Sequence, residues 1–296
     1  MAKRKDDHTQ SPEDQTSTKA KRAKTVENHG LDARNSTARR EKLVKDTNAL
    51  SPERFKACFV DEDMLSYLSP GEGPKEAFDI SLVAADWLTP GEHNASYGIV
   101  EETSRPDYEN SRFGWHPRRK RKEMLEPEMK YFFVRREGAE PAIERTKSGD
   151  LDTSILGFLS CMVTHDSSPS VPVLYIYEIH LKEALRGLGL GKHLMQIADR
   201  LAENIGLEKV MLTCFLCNAK ARQFYNMHGF GKDVCSPEDR KTRNKLVPVD
   251  YVIMSRGMDG KSGALNMDVD RNNHSDAATR DLDVSSAGTE RNANAA

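Results

Sequence analysis

The sequence lacks an apolar run of the roughly 18 residues that a membrane-spanning helix requires, and no signal peptide is recognisable at its start. It also lacks a disulfide framework, because its five cysteines are odd in number and show no regular spacing. Cys214 and Cys217 form a CxxC pair, but no second pair completes a tetrahedral zinc site. We therefore expect a soluble intracellular protein without a metal, with Cys214 in a core strand and Cys217 in a loop.

The two ends of the chain have few apolar residues. Hydrophobic residues make up 37% of the sequence and charged residues 30%, and the apolar ones are concentrated in the middle. Residues 1–48 and 258–296 lack the apolar surface that offsets the entropy of ordering. We predict a disordered basic N-terminal arm over 1–48, helix-like from about 38, and a disordered C-terminal tail over 258–296. Residues 49–257 are enough for one folded domain.

The N-terminal arm carries two basic clusters, Lys3–Lys5 and Lys19–Lys24. Paired clusters of this kind are typical of a bipartite nuclear import signal, although a basic tail that only raises solubility has the same composition. We expect the protein in the nucleus and the cytoplasm.

The middle of the chain alternates between strand-like and helix-like segments. Leu194, Ile197, Leu201 and Ile205 recur at helical spacing, and Gly206 follows as a C-terminal cap. The prediction is an α/β (α+β) fold with a mixed central β-sheet flanked by helices. The predicted strands are 78–84, 130–136, 154–164, 171–181, 209–215 and 247–254, and the predicted helices are 90–105, 116–127, 191–205 and 219–228.

A glycine loop connects the strand at 171–181 to the next helix, with the sequence Arg186-Gly-Leu-Gly-Leu-Gly191. Such a loop at a helix start presents several backbone N–H groups together, and the helix dipole adds partial positive charge, so a pyrophosphate fits there. A dinucleotide site would have its glycines after the first strand and an acidic residue about 20 residues later. That order is absent from this sequence.

The glycine loop and the segment Asn218–Phe230 together resemble the acetyl-coenzyme A site of the GNAT superfamily of N-acetyltransferases. Three further segments, 175–178, 209–213 and 108–115, resemble the N-terminal acetyltransferase D family. That family acetylates the N-terminal amine of histones H4 and H2A, whose chains begin Ser-Gly-Arg-Gly. The resemblance covers about residues 78–256 and implies a GNAT fold with acetyl-coenzyme A as cosubstrate.

The resemblance also implies which residues hold the cofactor. The backbone of the strand after Glu178 would pair with the pantetheine arm as an added strand does, and the loop amides would hold the pyrophosphate. The implied cofactor-binding residues are Ile179, His180, Leu181, Arg186, Gly187, Leu188, Gly189, Leu190, Gly191, Lys192, Thr213 and Asn218.

On the substrate side, two residues depart from the family pattern. Phe113 stands where the family usually has tryptophan, and Tyr225 matches a general-acid tyrosine of the superfamily where this family often has phenylalanine. The role of Tyr225 therefore stays open. The implied catalytic residues are Glu178, Tyr175 and Tyr177, and the implied peptide-binding residues are Tyr108, Phe113, Asp166 and Tyr177.

Two carboxylates compete for two roles. Either Glu178 or Asp166 would take the proton of the substrate amine, directly or through water, while the other would bind the arginine that follows. Strict strand alternation places Glu178 on the face opposite Tyr175 and Tyr177. A β-bulge, which superfamily members carry in this strand, would re-aim these side chains.

Local patterns give other interpretations of some of these residues. Asp166 lies in a turn-like segment, and Tyr175 and Tyr177 have the pattern of core residues. The basic run Arg118–Lys122 favours a solvated helix face over a nucleic-acid patch. His180 and the nearby His193 lack the partners of a metal site.

We considered three functions. The first is an N-terminal α-amino acetyltransferase that acts on the N-terminal serine of histones H4 and H2A by direct attack in a ternary complex. The second is an acetyltransferase of the same superfamily that acts on lysine or a small amine, and the third is a catalytically silent chromatin-binding module. Under the first, the partners are the histone H4 and H2A tails, with no obligatory nucleic acid, no membrane and a monomeric state.

Overall fold

The computed structural model describes residues 37–71, 75–139, 152–166, 171–243 and 245–258. The predicted disordered segments lie outside these ranges, except for residues 37–48 and 258. Within the described part of the chain, no helix combines the length and the apolar character needed to cross a bilayer.

An eight-stranded mixed sheet forms the centre of the domain, which confirms the predicted fold class. All neighbouring strands are antiparallel except the fifth and sixth, which are parallel. The spatial order is β1-β2-β3-β4-β5-β6-β10-β7, and β8 and β9 pair separately. The strands are β1 (Ser66–Leu68), β2 (Ala77–Ala84), β3 (Lys130–Arg136), β4 (Gly157–His165), β5 (Pro172–Leu181), β6 (Lys209–Phe215), β7 (Gly231–Lys232), β8 (Arg240–Lys241), β9 (Leu246–Val247) and β10 (Tyr251–Gly257).

Helices cover both faces of the sheet, and their ends follow the sequence signals. Thr89 and Glu92 form a capping box at the start of the third helix, and Gly206 ends the fifth with φ +82°. The Asn218 side chain caps the sixth by accepting from the N–H of Ala221 at 3.0 Å. The helices are α1 (37–48), α2 (Pro52–Phe59), α3 (Pro90–Glu109), α4 (Pro117–Glu123), α5 (Leu190–Ile205) and α6 (Ala219–Met227).

Two apolar clusters pack on opposite faces of the sheet. Phe132 and Val134 of β3 contribute to one cluster, while Tyr131 and Phe133 contribute to the other, as strand alternation requires. The first cluster contains the buried stripe of α5, which confirms the helical spacing predicted from Leu194 to Ile205. The second contains residues of α3 together with Met124, which directly follows α4.

Several boundaries differ from the prediction. Strand β1 was not predicted, because three residues carry too little periodicity. The final strand runs over 251–257 rather than 247–254, and α3 continues to Glu109 instead of ending at 105. Helix α1 packs on the domain through Val44, which is 8% exposed, and it falls where the sequence predicts a helix-like segment from about 38.

Strand β5 contains the expected β-bulge. Ser160 of β4 pairs with Glu178, and the next residue, Cys161, pairs with Ile176, so Tyr177 is the extra residue on β5. The bulge falls where the strand leaves its parallel partner β6. It therefore changes the direction of the side chains in the part of β5 that faces the cleft described below.

Candidate active site

Strands β5 and β6 pair over a short stretch and then separate. Their parallel ladder joins Val173–Ile176 to Lys209–Leu212, and the following residues of the two strands are not paired with each other. A cleft of about 990 Å³ opens at this point, lined by residues of both strands. The free edge of β5 beyond Ile176 can accept an extended ligand as an added strand.

The glycine loop forms one wall of this cleft. Gly187 and Gly189 have φ values of +82° and +84°, which only glycine adopts without strain. Helix α5 begins directly after Gly189, and its start has no side-chain cap and no acidic residue in its first turn. Its first N–H groups and its dipole thus favour an anion, and Arg186 and Lys192 line the same cleft.

Tyr67 of β1 contacts the glycine loop and supports it. The sequence did not suggest this contact. Its hydroxyl donates a hydrogen bond to the carbonyl of Leu188 at 2.8 Å. A Cβ atom at Gly189 would lie 2.2 Å from that hydroxyl, so both the left-handed backbone and the lack of space require glycine here.

Ten of the twelve predicted cofactor-binding residues line the cleft. The exceptions are Leu188, whose side chain packs against the core, and Leu190, which is completely buried in it. Their side chains serve packing, and only their backbone belongs to the loop. The ten that line the cleft are Ile179, His180, Leu181, Arg186, Gly187, Gly189, Gly191, Lys192, Thr213 and Asn218.

A second cavity of about 380 Å³ joins the first. The two share part of their lining, including Tyr108, Tyr177 and Thr213. The segment after α3 lines the second cavity, where the ring of Phe113 packs 5.2 Å from that of Tyr251 on β10. The ring of Tyr108 lies 4.9 Å from Phe215 and forms the wall between the two cavities.

The bulge brings the three predicted catalytic residues to the junction of the cavities. The rings of Tyr175 and Tyr177 lie 5.1 Å apart, and the hydroxyl of Tyr175 is 2.5 Å from that of Thr213. Glu178 lines the larger cavity and contacts Lys120 of α4. Lys120 in turn lines the smaller cavity, as does Tyr177. Tyr177 and Glu178 therefore face a common region, despite being consecutive on a strand.

Glu178 is held by two basic side chains. One carboxylate oxygen pairs with the ammonium of Lys120, and the other lies 2.5 Å from Nε2 of His180. Lys120 also donates to the hydroxyl of Tyr108 at 3.0 Å and pairs with Glu123 at 2.6 Å. The interpretation of Lys120 as part of a solvated helix face was wrong, because its side chain is only 5% exposed.

These contacts determine the electrostatics of the junction. Burial alone would raise the pKa of Glu178, but the charges of Lys120 and His180 outweigh it and lower this pKa to about 2. Burial and the charge of Glu178 raise the pKa of Tyr108 to about 12. At neutral pH, Glu178 is thus a carboxylate and Tyr108 a neutral hydroxyl.

The structure places Asp166 away from this junction. Its carboxylate pairs with Lys209 at 2.6 Å and accepts a hydrogen bond from the N–H of Val171 at 3.1 Å. Its side chain is 2% exposed and lines neither cavity. Asp166 and Asp233 flank Lys209 in a buried ionic cluster, so the described residues do not bring Asp166 together with Glu178, and its substrate-binding role stays a prediction.

Tyr225 of α6 and Asn218, the residue predicted to cap that helix, also line the larger cavity. Burial raises the pKa of Tyr225, so its hydroxyl is protonated at neutral pH and is able to donate. Asn218 donates to Asp107 of α3 at 2.8 Å and thereby ties α6 to α3 across the cleft.

His193 lies outside the larger cavity. Its Nε2 is 3.2 Å from the carbonyl of Met64, and its ring packs on Tyr67. Over the described ranges, no three histidine, cysteine or acidic side chains are grouped as ligands for a metal ion.

Residues 98–230 match the sequence profile of the Acetyltransferase (GNAT) family. N-alpha-acetyltransferase 40 of Saccharomyces cerevisiae is 34% identical over 103 residues, which cover 29% of this chain and 36% of that protein. The chain spans about a third of the length of the curated relatives it matches.

Solved structures with a similar fold include the ribosomal-protein-S18-alanine N-acetyltransferase of Escherichia coli. It is 16% identical with a TM-score of 0.39, and the match covers 60% of this chain and 94% of that one. Arabidopsis thaliana NAA60 in complex with a bisubstrate analogue is 13% identical with a TM-score of 0.41, over 60% of this chain and 98% of that one.

Proposed function

We propose that this GNAT-type acetyltransferase domain transfers the acetyl group of acetyl-coenzyme A to the N-terminal α-amine of a peptide, with the N-terminal serine of histones H4 and H2A as the substrate. The name of the yeast relative, N-alpha-acetyltransferase 40, supports the α-amine. The resemblance at Tyr175–Glu178 and at 108–115 supports the histone tails. The nuclear and cytoplasmic location and the monomeric state stay predictions from the sequence.

The observation that carries the proposal is the pair of aromatic rings at the second cavity. Phe113 and Tyr251 lie 5.2 Å apart there and restrict how far a bound peptide can extend past them. Such a cavity suits a chain terminus, whereas an open groove would suit a lysine in the middle of a peptide. The amine of a bound terminus then lies near Tyr177 and Tyr108, where the two cavities meet.

The residues of the larger cavity fit acetyl-coenzyme A. The uncapped start of α5 suits the pyrophosphate, and the free edge of β5 suits the amide groups of the pantetheine arm. When bound, this cosubstrate supplies the activated thioester. The chain itself would orient the amine for direct attack and donate a proton to the departing sulfur, a role that we assign to Tyr225 because it lines this cavity with a protonated hydroxyl.

The electrostatics of Glu178 also favour an α-amine. An α-amine has a pKa of about 7.7–8.0 and a lysine amine about 10.4, so neutralising them at pH 7.5 costs less than about 1 kcal/mol and about 4 kcal/mol respectively. A carboxylate whose pKa is about 2 is a weak proton acceptor. It suffices to orient an α-amine or a water, but it contributes little to deprotonating a lysine.

The test is to incubate the protein with acetyl-coenzyme A and the peptide Ser-Gly-Arg-Gly-Lys, and to locate the acetyl group by fragment mass. We expect it on the N-terminal amine. A twin peptide with a blocked N-terminus is the matched control and should remain unmodified. Acetylation of lysine in either peptide would support the lysine acetyltransferase instead, and no product with either would support the catalytically silent module.

A further inference from the structure

His180 of β5 uses both of its ring nitrogens. Nε2 lies 2.5 Å from a carboxylate oxygen of Glu178, and Nδ1 lies 2.7 Å from the hydroxyl of Thr103 on α3. The ring packs 5.7 Å from that of Phe158, and the side chain is 10% exposed. The imidazole thus lies between the proposed catalytic carboxylate and helix α3.

The hydrogen bonds define two allowed states of this ring. Because a carboxylate only accepts, Nε2 carries a proton in both states. The hydroxyl of Thr103 also lies 2.7 Å from the carbonyl of Ile99. When the hydroxyl donates to Ile99, Nδ1 must carry a second proton and His180 is a cation. When the hydroxyl turns and donates to Nδ1, His180 is neutral. The hydroxyl of Thr103 is therefore a hydrogen-bond partner for Nδ1 in either charge state of His180.

We infer that His180 is a positioning residue whose charge controls acetyl transfer at Glu178, an inference that rests on the proposed function. In its cationic state, His180 and Lys120 both face the single carboxylate of Glu178, and an incoming ammonium would be a third cation there. In its neutral state, His180 still holds Glu178 through Nε2, while Lys120 alone balances the carboxylate. The reactive enzyme is the one with neutral His180.

Other charged groups near His180 come from every element that packs around it. Helix α4 contributes Lys120 and Glu123, which lie beyond Glu178. Helix α3 contributes Asp107 and Tyr108 to the same cavity wall, and the glycine loop contributes Arg186 and Lys192. Strand β4 contributes only the ring of Phe158 at the imidazole. Glu178 is the one acidic group within hydrogen-bond distance of the ring over the described ranges.

The experiment is the pH dependence of kcat/KM with the Ser-Gly-Arg-Gly-Lys peptide, in the full chain and in variants. Two groups must lose a proton in the wild type, the substrate amine and His180, so the acidic end of the logarithmic profile should rise with a slope of two. His180→Gln keeps an N–H donor for Glu178 but does not titrate, so its slope should be one.

A second pair of variants tests the role of Thr103. Thr103→Val removes the acceptor for the Nδ1 proton and disfavours the cation, so the acidic end of its profile should shift to lower pH. Thr103→Ser keeps the hydroxyl, and its profile should stay in place. A slope of two in His180→Gln, or a Thr103→Val profile that coincides with that of Thr103→Ser, would overturn the inference.

The failure of this inference can be distinguished from the failure of the proposed function. If the wild type modifies no N-terminal amine, the proposed function fails. Nitrogen-15 NMR of the imidazole provides a readout that does not require activity: we expect Nδ1 of His180 to titrate while Nε2 keeps its proton. A His180 signal that does not change over the pH range in which the activity of the wild type rises would contradict the inference on its own.

Discussion

Lys120 of α4 and Glu178 of β5 form an ion pair in which the two side chains are only 5% and 9% exposed. The pair joins helix α4, which lines the smaller cavity, to the strand that carries the β-bulge. Breaking a buried ion pair leaves an uncompensated charge, which costs more than the pair itself contributes. The arrangement at the junction of the cavities therefore depends on both partners.

We expect Lys120→Met to lower the free energy of unfolding by about 3–5 kcal/mol, because Glu178 would remain buried without its ammonium partner. Urea unfolding measures this change. The double variant Lys120→Met/Glu178→Gln should recover most of the loss, since neither charge remains. Lys122→Met on the exposed face of α4 is the matched control and should stay within about 0.5 kcal/mol of the wild type. Equal effects at Lys120 and Lys122 would mean that the pair is not formed.

The low pKa of Glu178 predicts how stability depends on pH. Its folded pKa of about 2 lies below the unfolded value, so its contribution is complete above about pH 5 and is lost as the pH falls toward 2. We expect this to amount to about 1–3 kcal/mol. Unfolding free energies measured between pH 7 and 3 should fall less steeply in Glu178→Gln than in the wild type. Parallel curves would show that Glu178 titrates with its ordinary pKa.

Substitutions at Gly187 and Gly189 separate the effect of backbone strain from the effect of a steric clash. Both have positive φ, but a Cβ at Gly187 meets nothing within 4 Å, whereas one at Gly189 would lie 2.2 Å from the Tyr67 hydroxyl. We expect Gly189→Ala to raise the KM for acetyl-coenzyme A by about tenfold more than Gly187→Ala, a difference of about 1.4 kcal/mol. Adding Tyr67→Phe to Gly189→Ala should restore part of this loss. If the two glycine variants behave alike, Tyr67 does not support the loop as described.

Asp166 distinguishes a structural carboxylate from a substrate-binding one. Asp166→Asn removes a charge from the buried pair with Lys209, and we expect a loss of about 2–4 kcal/mol in the free energy of unfolding. The preference for Ser-Gly-Arg over Ser-Gly-Gln peptides, measured as a ratio of kcat/KM, should not change. A ratio that falls by about tenfold or more, equivalent to about 1.4 kcal/mol, would instead support the substrate-binding role of Asp166.

The strands and helices with strong periodicity could be predicted from the sequence. The site could be predicted where its residues belong to a local sequence motif. Ten of the twelve predicted cofactor residues line the larger cavity, and five of these lie in the glycine loop and the first turn of α5, where the sequence motif is local. Asp166 shows the opposite case, since its local pattern predicts a turn residue whereas the family resemblance predicts a substrate contact, and the described contacts of Asp166 are those of the turn. Its hydrogen bond to Val171 is local.

Lys120 was not placed from its surroundings in the sequence, because the basic run at 118–122 itself contains no apolar residue to mark an inner face. Its partner Glu178 lies on a distant strand, and the bulge that turns Glu178 toward it depends on the pairing of β4 with β5. One signal was available. Met124 lies four residues after Lys120 and therefore on the same face of the helix, and it is 2% exposed.

The most direct test of the central claim compares two conjugates of coenzyme A with the peptide Ser-Gly-Arg-Gly-Lys. One is joined through the N-terminal amine and the other through the lysine side chain, so the two have the same composition. If the second cavity beside Tyr177 receives a chain terminus, the N-terminal conjugate should bind with a Kd at least about 100-fold lower, a difference of about 2.7 kcal/mol. Equal affinities, or tighter binding of the lysine conjugate, would contradict an N-terminal acetyltransferase.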